Sequence, residues 1–155
     1  MDSFTQREGV PDDWTPRLAE AIAGAVREFA STLDGAAIVL LALDCRPWNG
    51  TLGLSALTAA EVKSDSLLND PAEMAAWKHY DFASYLASWQ PAAGLGAEMQ
   101  AAYEASERPA IAAAFLSACA VAVGLPSVSA ALASLTQADG FRWSVTHPDS
   151  GQEFV

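Results

Sequence analysis

AIVLLAL (residues 37–43), RPWNG (46–50) and TLGLSALT (51–58) follow closely on one another and decide the fold of this chain. The first run is continuously apolar and of strand length, which is typical of a central strand buried on both faces. Asn49-Gly50 favours the positive φ angles of a tight turn, and the third run supplies a returning strand. The sequence therefore predicts a β-hairpin over residues 37–58.

A helix is predicted directly before this hairpin, at about residues 16–33. Thr15 can cap it, Pro16 suits the first helical position, and Asp34-Gly35 ends it. Apolar side chains recur at three- and four-residue steps and so share one face, namely Leu18, Ile22, Val26, Phe29 and Leu33. This helix is expected to cover one side of the hairpin.

Helices are predicted for most of the chain after a solvated connection at residues 59–70. They comprise a short helix opened by Pro71, a one-sided helix from Asp81 to Pro91, and helices near 95–106, 108–123 and 127–137. Gly94 and Gly96 are interpreted as the end of one helix and the start of the next. Alternation then predicts a strand from Phe141, a turn at 147–151 and a final short strand near 153–155.

The order of these elements predicts the fold class. Strands do not alternate regularly with helices, which favours α+β over a doubly wound fold. We expect a small antiparallel sheet, made of the hairpin near 37–58 and C-terminal strands near 141–155, packed with about five or six helices. The 155 residues, 52% of them hydrophobic, are enough for one domain, and residues 1–13 are expected to form a poorly ordered segment.

The charge balance excludes several classes of partner. Nineteen acidic residues face eight basic ones, which gives a net charge of −11. Nucleic acids and anionic membrane surfaces attract clustered Lys and Arg, so neither is an expected partner. A basic protein is the partner that such a surface would attract.

A membrane helix is also not expected. The thirty uncharged residues 109–138 are interrupted at Gly124-Leu125-Pro126, which leaves too few for a span of about 30 Å. The N-terminal residues lack the basic and apolar regions of a secretory signal. We therefore expect a soluble cytoplasmic protein in which Cys45 and Cys119 are free thiols.

Catalytic and metal-binding patterns are weak throughout. The chain has no glycine-rich phosphate loop and no clustered Cys or His ligands, so neither a cofactor nor a metal is expected. Cys45, beside Arg46, is the best candidate nucleophile, and His79 or His147 would have to serve as its base. For all three, a structural role is the favoured interpretation, and a non-enzymatic protein is favoured over an enzyme.

Aromatic residues mark the candidate binding surface. Trp48 lies at the predicted hairpin tip, and Trp77 and Tyr80 lie in an aromatic-rich segment. Trp and Tyr are enriched at the energetic centres of protein interfaces, although core packing is the commoner role for such a cluster. Any recognition surface is therefore expected to contain Trp48, Trp77 or Tyr80.

Residues 36–62, AAIVLLALDCRPWNGTLGLSALTAAEV, followed by AEMAAWKHYDFASYL at 72–86, resemble a group of uncharacterised bacterial domains. In that group a helix precedes such a hairpin, and some members lie near toxin–immunity loci. The resemblance implies a small cytoplasmic protein that binds another protein.

The leading hypothesis is thus a non-enzymatic protein-binding domain of immunity type, which neutralises a basic partner. The alternative is a small-molecule-binding domain, or a small hydrolase that uses Cys45. A homodimer formed through an exposed apolar patch is a third hypothesis.

Overall fold

Three strands form one mixed sheet in the computed structural model, which describes residues 9–155. The central strand β1 (Ala37–Arg46) pairs antiparallel with β2 (Thr51–Thr58) and parallel with β3 (Thr136–Val145). The α+β class and the hairpin are confirmed. The expectation of a purely antiparallel sheet is wrong, because β3 runs in the same direction as β1.

Helices surround this sheet. The α-helices are α1 (Trp14–Ala30), α2 (Ala59–Ser64), α3 (Pro91–Ala105), α4 (Arg108–Val123) and α5 (Pro126–Leu132). Short 3-10 helices occupy Ser66–Leu68, Pro71–Ala76, Phe82–Tyr85 and Ala87–Trp89. Residues 1–8, most of the segment expected to be poorly ordered, lie outside the described residues.

The direction of β3 follows from the path of the last two helices. α4 packs against β1, and α5 then packs against α1, which leads directly into β1. The chain therefore reaches Thr136 beside Ala37, the first residue of β1, and the two residues pair. A strand that starts beside the first residue of β1 and continues along it must be parallel to it.

The two faces of the sheet carry separate cores. The larger core lies between the helices and the face that carries Leu41, Leu43 and Cys45 of β1. On the opposite face, Leu40, Ala42 and Leu57 form a smaller core with Trp77. Alternating residues of one strand thus serve two different layers, as the pleat of a β-strand requires.

The one-sided helix predicted from Asp81 to Pro91 is replaced by two 3-10 helices. Leu86 between them has an extended backbone, with φ −105° and ψ 134°, which ends the first helix. Phe82 and Trp89 are buried, whereas Tyr85 is 87% exposed, so the aromatic residues do not share one face. Their spacing is helical, but packing against α1 and β2 decides the local conformation.

Gly94 and Gly96 also differ from expectation, because both lie inside α3 instead of at a boundary between two helices. A Cβ atom on Gly96 would overlap the carbonyl oxygen of Gly50. Gly50, at the hairpin tip, has a φ angle of +67°. Gly96 is therefore the position at which the hairpin tip contacts the α3 backbone.

No single helix in the described part of the chain is long and apolar enough to cross a membrane, and the uncharged run is split between α4 and α5, which are bent by 54° relative to each other.

Candidate functional site

One half of the smaller-core face of the sheet is polar. The register places Asp44 opposite Gly53 and Arg46 opposite Thr51 in the hairpin. Ala42 pairs with Ser55 on one side and with Ser144 on the other. We call this region, which consists of Asp44, Arg46, Thr51, Gly53, Ser55, Ser144 and Thr146, the polar half of the sheet.

The segment after Trp77 runs along the outer edge of β2 and covers part of this polar half. The backbone N–H of Ala56 donates to the carbonyl oxygen of His79 over 3.2 Å. The N–H of Asp81 donates to Oγ of the buried Ser55 over 2.7 Å. These bonds hold Tyr80 and Asp81 at the rim of the sheet.

Glu61 fixes the same segment from the other side. Its carboxylate accepts hydrogen bonds from the backbone N–H groups of Thr58, over 3.1 Å, and Lys78, over 2.8 Å. Together with the Thr58 hydroxyl, these donors lower the pKa of Glu61 against the effect of its burial. The segment is thus bonded to α2 at Lys78 and to β2 at Asp81.

Asp81 occupies a strained position beside Gly53. Its φ angle of +52° is the only positive one among the non-glycine residues in the described part of the chain. A Cβ atom on Gly53 would lie 3.1 Å from Oδ1 of Asp81, so the missing side chain leaves room for this carboxyl group. Strained residues of this kind cluster at binding and catalytic sites.

The carboxyl groups of Asp44 and Asp81 have different environments. Nε of Arg46 lies 3.1 Å from Oδ2 of Asp44, and this contact raises the pKa of Arg46. Burial raises the pKa of Asp81, and the nearby charge of Asp44 adds to this effect, while a hydrogen bond with Ser84 opposes it. Ion pairing balances the charge of Asp44, whereas the charge of Asp81 is penalised.

Two clefts border the polar half of the sheet. A cleft of about 550 Å³, the Asp81 cleft, is lined by Gly53, Ser55 and Asp81 among others. A cleft of about 260 Å³, the His147 cleft, includes His147 and two further carboxylates, Asp70 and Glu153. Asp44, Arg46 and Tyr80 line both clefts. The combined surface carries four carboxylates and one guanidinium group, so it is acidic.

Asp81 makes the stability of the fold depend on pH. Because its pKa is raised in the folded chain, the folded chain binds more protons than the unfolded chain between the two pKa values. The free energy of unfolding therefore loses a contribution as the pH rises through that window. We expect Asp81→Asn to be more stable than the wild type at neutral pH and to lose this advantage in acid.

Urea unfolding over a pH series measures this difference. The matched control is Asp139→Asn, which removes an exposed carboxylate from β3. A stability difference between wild type and Asp81→Asn that stays constant with pH would contradict the assignment.

The three aromatic residues expected to bind a partner lie in different surroundings. Tyr80 is 45% exposed and borders both clefts. Trp77 is 3% exposed, and its Nε1–H donates to the carbonyl oxygen of Leu68 over 2.8 Å, so it is a core residue. Trp48 packs against Tyr103 and His147 in a separate cavity near the hairpin tip. Of the three, Tyr80 borders the polar half.

The three catalytic candidates contact different partners. Cys45 is buried in the larger core, where its Sγ lies 3.6 Å from Sδ of Met99. The ring of His79 packs edge-on against Phe29, and burial lowers its pKa. Nδ1 of His147 accepts hydrogen bonds from the N–H groups of Asp149 and Ser150. The cysteine faces the side of β1 opposite Arg46, so the guanidinium group has no thiolate to stabilise.

Asp44 and Arg46 were not predicted to belong to a polar surface of the sheet, although a pattern in the sequence pointed to it. Asp44 and Arg46 are two positions apart in a strand that is otherwise apolar, so both must face one side. No comparable pattern in the sequence pointed to Asp81, because an Asp directly before a predicted helix is expected to be the N-cap of that helix. Its side chain makes no capping hydrogen bond.

The described residues contain no group of three His, Cys, Asp or Glu side chains that could hold a metal ion. Comparisons with protein-family models, curated proteins and solved structures find no match for this chain.

Proposed function

We propose that the protein is a non-enzymatic binding domain whose Asp81 cleft receives a Lys or Arg side chain of a basic protein partner. The observation that carries this proposal is the carboxyl group of Asp81. It is partly buried and its charge is penalised, and it takes part in no ion pair within residues 9–155. A cation bound in the cleft would compensate this charge.

Tyr80 supplies a second contact for such a cation. Its ring borders the cleft beside Asp81, and aromatic faces attract ammonium and guanidinium groups by about 0.5–2 kcal/mol. The hydroxyl of Ser55, which already accepts the Asp81 N–H, lies in the same lining. A cationic side chain would thus meet a carboxylate and an aromatic ring, whereas Ser55, which is 1% exposed, holds the backbone of Asp81 in place.

The charge of the whole chain supports a basic partner. A net charge of −11 raises the rate of encounter with a positively charged protein, and this effect weakens with salt. An immunity-type protein that neutralises a basic toxin would use this attraction. The expected resemblance of residues 36–62 and 72–86 to bacterial domains, some of which lie near toxin–immunity loci, motivates that form of the proposal.

Small-molecule binding in the same cleft is a second candidate function. The volume of about 550 Å³ falls within the 300–1,000 Å³ that is usual for ligand sites. Cys45 has no part in either proposal, because its thiol is buried in the larger core.

An NMR titration with defined peptides tests the leading proposal. The 15N-labelled protein is titrated with hexapeptides of one sequence that carry lysine, arginine, norleucine or citrulline at a central position. We expect the lysine or arginine peptide to shift the amide signals of Ser55, Tyr80 and Asp81 in a saturable, salt-sensitive manner. The two uncharged analogues should bind at least about tenfold more weakly, as the loss of a charge-assisted hydrogen bond implies.

Other outcomes separate the alternatives. Equal shifts with the charged and uncharged peptides would overturn the recognition of a cation. A neutral fragment that shifts the same amide signals without dependence on salt would favour the small-molecule function.

A further inference from the structure

Two carboxyl groups lie over the same pair of strands in the Asp81 cleft. Asp44 of β1 is paired with Gly53 of β2, and paired residues of antiparallel strands project from the same face of the sheet. A Cβ atom on Gly53 would lie 3.1 Å from Oδ1 of Asp81. The carboxyl group of Asp81 therefore lies above the residue opposite Asp44, on the face from which the Asp44 side chain projects.

Arg46 brings a positive charge to this pair. It is the only Lys, Arg or His among the residues of the described chain that line the Asp81 cleft. It lies two positions after Asp44 in β1, so both side chains project from one face, and its Nε is 3.1 Å from Oδ2 of Asp44. The cleft thus holds two carboxylates and one guanidinium group, which leaves one negative charge.

This charge balance discriminates between cations of different valence. Ca²⁺ and Mg²⁺ bind carboxylate oxygen atoms, and Asp44 and Asp81 are two such ligands on one surface. The attraction of a cation to one net negative charge grows in proportion to its own charge, whereas the cost of its dehydration grows with the square. One net negative charge therefore favours a singly charged group over a divalent ion.

Building on the proposed function, we propose that Arg46 is a specificity-determining residue of the Asp81 cleft. Its guanidinium group acts as an internal cation on Asp44. The cleft therefore accepts one ammonium or guanidinium group of the partner, at Asp81, and rejects divalent metal ions. Arg46 makes this selection through charge and by occupying Oδ2 of Asp44.

Calorimetric titration in two salts tests the role of Arg46. The hexapeptide with a central lysine is titrated into each protein in NaCl and in a mixture of equal ionic strength that contains about 10 mM CaCl2. We expect the two affinities of the wild type to agree within about twofold. In Arg46→Met the affinity should fall about tenfold in CaCl2, as a competing calcium site with a Kd of about 1 mM implies.

The affinity in NaCl separates this role from a structural one. Arg46→Met removes a positive charge beside the bound lysine, so it should bind the peptide about threefold or more tightly than the wild type does. A residue that only supports the fold, or that contacts the peptide, would weaken binding when it is replaced. Arg46→Lys keeps the charge and should resist CaCl2 as the wild type does.

Two further measurements complete the test. Arg27→Met removes the same charge from an exposed position of α1 that lines neither cleft, and should match the wild type in both salts within about twofold. Titration with Ca²⁺ alone should shift the amide signals of Asp44 and Asp81 saturably in 15N-labelled Arg46→Met and not in the wild type. If Arg46→Met does not fold, Arg46→Gln takes its place.

The outcomes distinguish this proposal from the one on which it rests. A wild type that prefers the lysine peptide to the norleucine peptide, with an Arg46→Met variant that neither binds Ca²⁺ nor gains affinity, overturns the role of Arg46 alone. Competition by Ca²⁺ that is equally strong in the wild type does the same. A wild type that does not distinguish the two peptides in either salt overturns the proposed function, and this inference with it.

Discussion

Gly96→Ala is expected to lower the free energy of unfolding by about 3 kcal/mol, the largest stability effect that we predict for a single methyl group. The added Cβ atom would overlap the carbonyl oxygen of Gly50. Neither backbone can move easily, because Gly96 lies inside α3 and Gly50 holds the hairpin tip with a φ angle of +67°. Urea unfolding followed by tryptophan fluorescence measures the change.

Gly94→Ala is the matched control, two positions earlier in the same helix. A Cβ atom on Gly94 meets no atom within 4 Å. Alanine is the better helix former, so this variant should gain about 0.4–1 kcal/mol. Similar stability changes for the two variants would contradict the close contact between the hairpin tip and α3.

Asp81→Asn is expected to weaken binding of the lysine or arginine peptide by about 10- to 100-fold, the range for loss of a hydrogen bond to a charged group. Asparagine keeps the shape of the side chain and tolerates the positive φ angle of this position. The variant thus removes the charge with little change in the backbone. Isothermal titration calorimetry measures the affinity.

A control variant that removes the same charge elsewhere separates the effect of Asp81 on the affinity from the effect of the net charge of the protein. Glu104→Gln removes one exposed carboxylate from α3 and should change the affinity less than about twofold at physiological salt, because distant exposed charges are screened. Cation binding needs ionised Asp81, so the affinity of the wild type should rise with pH through the pKa of this residue. A flat pH profile in the wild type, or equal losses in both variants, would exclude Asp81 as the cation-binding group.

Gly50 and Gly53 of the hairpin have different roles, and each of the two predictions tests a contact made by one of them. Gly50 and Gly96 bring two backbones together and fix the tip of the hairpin on α3. Gly53 instead leaves space on the sheet surface for the carboxyl group of Asp81. The first contact stabilises the scaffold, and the second allows the acidic cleft to form beside Asp44.

Sequence patterns predicted a helix or a strand correctly where the residues of that segment and its ends determine its structure. The helix at Trp14–Ala30, the hairpin at 37–58 and the helix at Arg108–Val123 were predicted nearly to their observed bounds. Each combines a clear period or apolar run with Pro, Gly or Asn at its ends. The helix predicted for segment 82–89 was wrong, because contacts of this segment with α1 and β2 override the helical spacing of its aromatic residues.

The candidate site was predictable only in part. The enrichment of Tyr at the centres of protein interfaces suggested Tyr80, and the alternation along β1 would have placed Asp44 and Arg46 on one face. The approach of Asp81 to Gly53 and Ser55 joins residues that are 26 or more positions apart. No local pattern encodes such a contact.

The sequence by itself determined the α+β class, the hairpin and the acidic charge, because apolar periodicity, turn residues and composition are properties of the chain alone. Only the tertiary structure decided the parallel direction of β3 and the acidic cleft around Asp81. Both depend on contacts between distant segments: the packing of α4 on β1 and of α5 on α1 sets the direction of β3, and the hydrogen bonds of His79 and Asp81 to β2 place Asp81 beside the sheet.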